Sequence, residues 1–339
     1  MGLDADVRTI ILGFLSALVV LAVVFWLVGI DAIVAALSTA NPMIFLGVLV
    51  SGAVWIVAWG LALWTVVNVL NGPMSAVRAI MLYAAAIFAN NITPFGQAGG
   101  EPFSALLISR TTKTKYETGL AAIASVDALN FVPSIGLGLI AVGYFLTTAT
   151  VGGRLEIAVV AVGVLAVAVP MAGFLLWRHR ETVKGWTVDA LTPTARVIAR
   201  VLPRVEPPER ESVIRRIDNF FGSIERVASS RWSLARALGF SALGWVALST
   251  SLWFALFSLG HAVPFPVVLL VIPLGSVASI TPLPGGLGGV EAVLVGLLVP
   301  VTSIDPATAG AAVVLHRLGT YWLPTALGGG VTAVIANRT

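Results

Sequence analysis

The chain has no cysteine and few charged residues, and both absences limit what it can be. Without cysteine it has no disulfides, thiolate metal sites or cysteine nucleophiles. Its three histidines, His179, His261 and His316, are scattered and form no metal-ligand pattern. Charged residues make up only 11% of the sequence, whereas soluble domains carry about a quarter. With 58% hydrophobic residues and a mean hydropathy of +0.98, the chain is expected to be an all-α integral membrane protein.

Several soluble function classes lack their sequence signatures here. The glycine-rich stretches 96–100 and 285–289 have neither the lysine nor the strand–turn–helix setting of a phosphate-binding loop. No Ser-His-Asp arrangement occurs outside the apolar segments, and no soluble catalytic domain is evident. The net charge of +4 is concentrated in one segment, so it reports on membrane topology. We therefore expect no enzyme activity, no cofactor, no metal and no nucleic-acid partner.

Six apolar segments are long enough to cross a membrane, which takes about 20 mostly apolar residues. The first of them is too long for the apolar core of a cleaved signal peptide, so we expect it to remain as a helix. The predicted transmembrane helices lie near 9–30, 43–70, 117–146, 155–177, 236–259 and 309–335.

One short peptide occurs twice, each time inside apolar sequence. Residues 93–101 read TPFGQAGGE, and residues 281–291 read TPLPGGLGGVE. The Thr-Pro pairs lie 188 positions apart. Proline removes a backbone donor and glycine allows angles that a helix forbids, so Pro94 and Pro282 mark breaks with unwound backbone. Such breaks, repeated in two halves of a membrane protein, are typical of transporters.

The apolar arms on either side of each peptide are short. The first pair is predicted near 78–92 and 102–109, and the second near 266–280 and 290–301. A helix of about 14 residues rises only about 21 Å, whereas the hydrocarbon core is about 30 Å thick. We therefore predict two re-entrant helical hairpins in addition to the six transmembrane helices.

The distribution of positive charge orients this layout. Segment 178–233 holds eleven Lys or Arg residues, which predicts a cytoplasmic location. Loops 31–42, 260–265 and 302–307 carry none and are predicted to lie outside, while Arg154 alone falls on the unfavoured side. Both termini are then cytoplasmic, and the cell membrane is the expected location.

The same layout predicts an inverted-topology repeat. Repeat 1 covers 43–146 and repeat 2 covers 236–335, within a single membrane domain 1–339. The first hairpin enters from the cytoplasm and the second from outside. Segment 178–233 links the repeats, and its last part, 209–229, has the apolar spacing of an amphipathic helix.

Charged residues within membrane-facing sequence are informative because burying them is costly. Glu101 and Glu291 each follow a glycine pair, and two interpretations are open for them. Each could cap the helix that follows, or each could bind a cation, a proton or a polar headgroup near the membrane centre. We expect the two glutamates to approach one another there.

Other polar residues complete the predicted site. Arg317 needs an anionic partner if it is buried, whether a carboxylate in a structural ion pair or a substrate phosphate. His316 can be a packing residue or a proton relay. The predicted substrate-binding residues are Glu101, Glu291, Arg317, Asn90, Asn91, Thr93, Gln97, Gly99, Gly100, Asp127, Thr281, Gly288, Gly289 and His316.

The two peptides, together with LHRLGTYWLP at residues 315–324, resemble the flippase-like transmembrane domain of lysylphosphatidylglycerol synthases. This resemblance covers nearly the whole chain. It implies movement of a phospholipid or lipid-linked headgroup between leaflets, with Glu101, Glu291 and Arg317 at the family's polar motif positions. Where the family often has an arginine shortly after the first glutamate, this chain has Pro102-Phe103-Ser104-Ala105.

The leading hypothesis is therefore a flippase-like protein for a lipid with an anionic headgroup. The synthases carry an aminoacyl transferase domain after the membrane domain, and because this sequence stops at Thr339, we do not expect it to make aminoacylated lipid. Two alternatives remain open. One is a secondary transporter of a small solute, coupled to protons or cations, and the other is a non-transporting scaffold for an envelope enzyme.

Overall fold

The computed structural model describes residues 30–71, 74–93, 96–148, 210–281 and 283–336, with scattered positions between 163 and 186. The predicted transmembrane helix 155–177, nearly all of 9–30, and Pro94 and Pro282 lie outside this description. Within the described part the chain is helical and contains no strand. The helices are α1 Ile30–Ser38, α2 Pro42–Asn71, α3 Ala76–Ile92, α4 Gln97–Thr112, α5 Tyr116–Thr148, α6 Arg210–Ser229, α7 Arg231–Ser258, α8 Phe265–Ser276, α9 Gly289–Thr302, α10 Pro306–Arg317 and α11 Leu323–Ala336.

Four helical segments among the described residues are long and apolar enough to cross a membrane. Three of them, Pro42–Leu70, Tyr116–Thr147 and Arg231–Ser258, correspond to α2, α5 and α7 and agree with predicted transmembrane helices. The fourth, Pro284–Thr302, combines a short 3₁₀ turn with α9. The protein is thus an all-helical polytopic membrane protein.

The helices on either side of the repeated peptides are shorter. Helix α3 has 17 residues and α4 has 16, whereas α8 has 12 and α9 has 14. At 1.5 Å per residue these helices rise about 18 to 26 Å. Each of these helices taken alone is shorter than the hydrocarbon core, as the sequence predicts. Only together with the preceding 3₁₀ turn does α9 reach 19 residues, the length of a candidate crossing.

The first repeated peptide differs from its prediction. Helix α4 begins at Gln97, so Gly99 and Gly100 are helical rather than unwound, and Glu101 lies in the second turn instead of at the helix start. The chain turns earlier, at Gly96, where φ is 53°. Gly100 is needed for close packing, because a Cβ there would lie 2.6 Å from the backbone nitrogen of Asn90 on α3.

The second repeated peptide is a true glycine turn. Gly285, Gly286 and Gly288 have φ values of 56°, 67° and 82°, in the left-handed region that glycine tolerates and other residues avoid. Helix α9 follows at once, so that Glu291 occupies its first turn. The two peptides are alike in sequence but differ in where the chain turns.

The last predicted transmembrane helix, 309–335, is interrupted. Residues Leu318–Trp322 form a short π-helical segment between α10 and α11, directly after Arg317. Within it the hydroxyl of Thr320 donates to the carbonyl of His316 at 2.9 Å. Single π-helical turns inside helices frequently occur at functional sites.

Long helices from the two halves pack together to form the centre of the molecule. Helices α2 and α7 lie against each other, with α5 alongside both. Three edge-to-face aromatic contacts occur at this junction, from Trp59 to Trp55, Tyr83 and Trp245, with ring centroids 5.6, 6.2 and 5.5 Å apart. The indole nitrogen of Trp59 donates to the carbonyl of Ser241 at 3.1 Å.

The amphipathic helix expected over 209–229 is present as α6. It packs mainly against α5, and its Arg216 pairs with Glu117 of α5 at 3.3 Å. Its buried residues Val213, Ser223 and Val227 recur at helical spacing, whereas its charged side chains are exposed wherever they are described. The helix therefore lies against the helical bundle.

Candidate functional site

The two repeated peptides lie against one another. A Cβ built on Gly96, at the first turn, would lie 3.0 Å from the carbonyl oxygen of Ser279. A Cβ built on Gly285, in the second turn, would lie 3.1 Å from the Cα of Asn91 and would overlap the ring of Tyr321. Peptides 188 residues apart in sequence therefore form one continuous site.

Hydrogen bonds hold the end of α3 to the second half of the chain. The phenol of Tyr321 donates to the backbone carbonyl of Asn91 at 3.0 Å. The side-chain amide of Asn91 donates to the hydroxyl of Thr325 at 2.8 Å. The hydroxyl of Thr93 donates to the carbonyl of Ala89 at 2.7 Å, which satisfies the last turn of α3. The end of α3 is thus tied to the π-helical segment and to α11.

Glu291 is both a helix cap and a member of an ion pair. Its Oε2 accepts a hydrogen bond from the backbone nitrogen of Gly288 at 2.6 Å, and its Oε1 accepts one from Nε of Arg317, also at 2.6 Å. Nη2 of Arg317 donates to the carbonyl of Gly285 at 3.2 Å, and the guanidinium lies 4.5 Å from the ring centroid of Tyr321. Glu291 is only 3% exposed. Glu291 therefore caps its helix, as one of the two interpretations predicts, and is paired with Arg317. Its binding of a cation, a proton or a polar headgroup stays a prediction.

Glu101 belongs to a different pair. Its carboxyl group lies within hydrogen-bonding reach of that of Asp127, across the interface between α4 and α5. Asp127 is one helical turn from Asn130, whose side-chain oxygen accepts a hydrogen bond from the hydroxyl of Ser241 at 2.6 Å. The two repeated peptides meet, but their glutamates have separate partners.

A cavity of about 420 Å³ lies between the helices that flank the two repeated peptides and the long helices α2, α5 and α7. One part of its wall is aromatic, formed by Trp55, Trp59, Tyr83, Phe131 and Trp245. The polar residues of its wall come from both halves of the chain. They are Asn90, Asn91, Asp127, Asn130, Ser276, Ser279, His316, Arg317 and Thr320.

Four of the lining residues carry a buried polar atom without a protein partner. Two are donors, Nε1 of Trp55 and Nδ2 of Asn130, and two are acceptors, Oδ1 of Asn90 and Oδ2 of Asp127. Buried polar atoms normally have a partner, and each one left without costs about 1–3 kcal/mol. Unsatisfied donors and acceptors around a single cavity favour a polar occupant.

Of the remaining predicted residues, His316 lines this cavity, whereas Thr281 and Gly289 are not among the described residues that line it. Nδ1 of His316 is 3.0 Å from the hydroxyl of Ser251, and the histidine lines the cavity. The buried hydroxyl of Thr281 has no protein partner, and a Cβ on Gly289 would lie 3.1 Å from it. Gln97 is the first residue of α4, and its side chain lies outside the described atoms.

The aromatic wall was not predicted from sequence. Trp55 and Trp59 are one helical turn apart on α2, but the third tryptophan of the wall comes from α7, nearly 190 residues further along the chain. Tryptophan is common in apolar helices, so its pattern alone gives no signal. Of the predicted residues, Asp127 is the one on α5 that lines the same cavity.

The sequence profile of one protein family matches residues 10–328, which is nearly the whole chain. That family is described as the lysylphosphatidylglycerol synthase TM region. The chain belongs to this family. The resemblance found in the repeated peptides is thereby confirmed.

Similar proteins are known from several organisms, and each is described as a UPF0104 membrane protein. One from Pyrococcus horikoshii is 26% identical over 339 residues, covering 97% of this chain and 96% of its own. One from Methanothermobacter thermautotrophicus is 28% identical and covers 95% and 92%. One from Methanocaldococcus jannaschii is 25% identical and covers 95% and 93%. The similarity extends along whole chains and is consistent with a multi-pass membrane protein.

Proposed function

We propose that this protein moves a phospholipid or a lipid-linked headgroup between the two leaflets of the cell membrane. The observation that carries the proposal is the cavity between the two hairpins, with its four unpartnered polar atoms. A headgroup would satisfy these atoms while its acyl or isoprenoid chains stay in the surrounding lipid. The family takes its name from a phospholipid synthase, which favours lipid as the substrate class.

The chemistry of the cavity wall supports an anionic headgroup held at Arg317. Its Nε and Nη2 are engaged by Glu291 and Gly285. Nη1 has no protein partner among the described residues, and so it can donate to a phosphate oxygen. Another part of the wall is aromatic, which suits the glycerol or sugar portion of a headgroup.

The proposed architecture is six transmembrane helices with two re-entrant hairpins. It is supported by the lengths of α3, α4, α8 and α9, which fall short of a full crossing. In this arrangement α9 returns to the side from which α8 entered. The run α10 to α11, including its π-helical segment, is one interrupted transmembrane helix.

Packing between helices supports the proposed inverted repeat. If α2, α3, α4 and α5 correspond to α7, α8, α9 and the run α10 to α11, the contacts of one set reproduce those of the other. Thus α5 packs against α8 as α11 packs against α3. Likewise α6, which precedes the second repeat, packs against α5 at the end of the first repeat, and α1, which precedes the first repeat, packs against α10 in the second. Each repeat is therefore preceded by a helix that packs against the other repeat. In inverted repeats the site lies where the halves meet, near mid-membrane.

A mechanism follows from this arrangement. The two hairpins enter from opposite faces and meet at the cavity, so rocking one repeat against the other would open the cavity to each leaflet in turn. The protein itself supplies no covalent chemistry to this process. Both termini, and the linker 178–233, would be cytoplasmic.

Lipid exchange in reconstituted vesicles tests the proposal. Purified protein is placed in vesicles that carry fluorescent phospholipids or lipid-linked sugars, and access of a membrane-impermeant quencher is followed over time. We expect the protein to accelerate exchange of at least one lipid, and Asn130→Leu to slow it. Gly136→Ala is a matched control on the same helix, since a Cβ at Gly136 meets nothing within 4 Å. Equal exchange with and without protein across the panel would exclude the proposed function.

A further inference from the structure

Glu101 and Asp127 form a pair of carboxyl groups inside the membrane region. Glu101 lies in the second turn of α4, and Asp127 lies near the middle of the long helix α5. Their carboxyl groups lie within hydrogen-bonding reach of each other. Asp127 also lines the cavity, and its Oδ2 is buried there without a protein partner. The pair therefore belongs both to the first hairpin and to the cavity wall.

A hydrogen bond between these two carboxyl groups requires that one of them holds a proton. An ionised carboxylate only accepts hydrogen bonds, so two ionised groups cannot bond to one another. Two negative charges in contact also repel each other strongly, and burial increases this repulsion. One group must therefore hold a proton that the other accepts, and titration belongs to the pair rather than to either residue.

Among the described residues, no positive charge lies against the two carboxyl groups that would allow both of them to be ionised. The elements packed against α4 and α5 are α2, α3, α6, α7, α8 and the turn Val277–Ile280. Of these, α2, α8 and that turn contain no titratable residue. Lysines and arginines on the others, and at the end of α4, are exposed wherever their side chains are described. They are Arg78, Arg110, Lys113, Lys115, Arg215, Arg216, Arg226, Arg231 and Arg236.

The other titratable groups around the pair do not neutralise it. Tyr83 and Tyr116 lie close enough to interact with the two carboxyls, but neither carries positive charge. Glu117 is paired with Arg216 at the start of α5. The remaining acidic groups of α6, namely Glu211, Asp218 and Glu225, are exposed. Tyr144, also on α5, is half-buried.

The other titratable groups near the cavity are His316 and the members of the Glu291–Arg317 ion pair. Nε of Arg317 lies 2.6 Å from Oε1 of Glu291, and His316 is hydrogen-bonded to Ser251. The glutamates that end the two repeated peptides thus differ in chemistry. Glu291 has a fixed positive partner, whereas Glu101 has a second acid.

We propose that Glu101 and Asp127 form a proton-binding site, which holds one exchangeable proton and couples its binding or release to the movement of the first hairpin. With the proton present, α4 and α5 are joined by the carboxyl–carboxyl hydrogen bond. With it removed, two negative charges face each other across the same interface and separate the helices. The site itself does not depend on the proposed lipid transport, whereas its coupling to lipid movement rests on that function.

Infrared spectroscopy of the full-length protein in lipid tests the site directly. A protonated carboxylic acid has a carbonyl stretch that an ionised carboxylate lacks and that shifts in heavy water. We expect this band at neutral pH in the wild type and its loss on alkaline titration. It should be absent in the double variant Glu101→Gln with Asp127→Asn, and it should persist in Glu211→Gln, a control at an exposed acid of α6.

The titration of the wild-type protein tests the proton site even if the double variant fails to fold. Absence of the band in the wild type would overturn the proton site, and its persistence in a folded double variant would assign it to another group. Coupling is tested separately, by lipid exchange in vesicles at several pH values. We expect a several-fold change with pH in the wild type and a flat profile in the double variant.

These measurements separate the two proposals. A protonated pair in a protein that exchanges no lipid would leave the site standing and remove the proposed function. A protonated pair in a protein whose lipid exchange is equally fast at every pH would leave the function standing and overturn the coupling.

Discussion

At the residue scale, the positive charge of Arg317 is compensated directly by the carboxylate of Glu291. The Glu291–Arg317 pair also caps α9 and contacts the glycine turn through the carbonyl of Gly285. One ion pair therefore fixes the start of a helix, a turn and the π-helical segment together. This concentration of contacts makes the pair important for stability as well as for binding.

Removing one partner of this pair should be costly, because the other charge stays buried. We expect Glu291→Gln or Arg317→Met alone to lower stability by about 3 kcal/mol. The double variant should lose less than the sum, since it leaves no unpaired charge. Thermal unfolding in detergent micelles measures each variant, with Glu211→Gln as an exposed control. Strictly additive losses would show that the two side chains do not act as a pair.

Asp305 is a second residue whose role can be tested, in the loop before α10. It caps this helix: its Oδ1 accepts from the backbone nitrogens of Ala307 and Thr308, and its Oδ2 accepts from the Thr308 hydroxyl at 2.6 Å. The Thr308 hydrogen bonds chiefly hold the pKa of Asp305 below its ordinary value. The charged form therefore stabilises the fold above the ordinary aspartate pKa of about 3.9, and this contribution is lost as pH falls through the lower pKa of the folded state.

We expect Asp305→Ala to cost about 1 kcal/mol at neutral pH. The difference from wild type should shrink on acidification. Asp305→Asn retains a capping oxygen and should show a smaller loss, with less dependence on pH. Melting temperatures across an acidic pH series provide the measurement. A difference that grows as the pH falls would contradict the assigned sign.

At the scale of the helical elements, the structure explains why one glycine motif was interpreted correctly and the other was not. The sequence predicts unwound backbone at both. At residues 285–288 glycine supplies positive φ angles. At Gly100, within the continuous helix α4, the lack of a side chain instead lets α3 and α4 approach closely. Sequence spacing does not distinguish a glycine used for backbone conformation from one used for close packing.

Gly100→Ala tests this close packing. Its Cβ would overlap the side-chain oxygen of Asn90 and lie 2.7 Å from the Cα of that residue. We expect the substitution to separate α3 from α4 and to lower both the melting temperature and the yield of folded protein. Gly136→Ala meets open space and should be neutral or stabilising by up to about 1 kcal/mol. Equal behaviour of the two variants would argue against helix contact at Gly100.

The first hairpin can also be locked in place. Asn91 and Thr325 are joined by a side-chain hydrogen bond of 2.8 Å, and the chain has no native cysteine to interfere. We expect Asn91→Cys with Thr325→Cys to form a disulfide under oxidising conditions and to stop lipid exchange, which reductant then restores. The same protein in its reduced form is the internal control. Undiminished exchange in the cross-linked protein would show that this contact need not open.

At the scale of the whole molecule, the two halves share one plan of packing but differ in electrostatics. The helix contacts of one half recur in the other. The terminal glutamates of the repeated peptides, however, bind an arginine in one half and an aspartate in the other. With the proposed proton site, this division gives the second repeated peptide a fixed charge pair and leaves the first able to respond to protons.

The proposed topology makes specific predictions for single cysteines in otherwise cysteine-free protein. Arg78→Cys and Lys115→Cys flank the first hairpin at exposed positions. If the hairpin is re-entrant, a membrane-impermeant maleimide should label both from the cytoplasmic face. His261→Cys should be labelled only from outside. Labelling of Arg78→Cys and Lys115→Cys from opposite faces would mean that the first hairpin crosses the membrane once.

Much of the fold follows from hydropathy, because long apolar runs have few alternatives to a membrane helix. Helices α2, α5 and α7 and the short hairpin arms agree with their predicted positions to within a few residues. The π-helical interruption after Arg317 and the contact between Glu101 and Asp127 had no local signal. Both depend on packing between segments that are distant in sequence, which periodicity does not encode.

The central claim is that a lipid headgroup occupies the cavity between the two repeated peptides. A high-resolution structure of the protein in lipid nanodiscs tests it most directly. The account predicts density for a headgroup within hydrogen-bonding distance of Asn130, Asp127 or Arg317, with its chains extending between helices into the bilayer. A cavity that holds only water, with lipid confined to the outer surface of the helices, would contradict it.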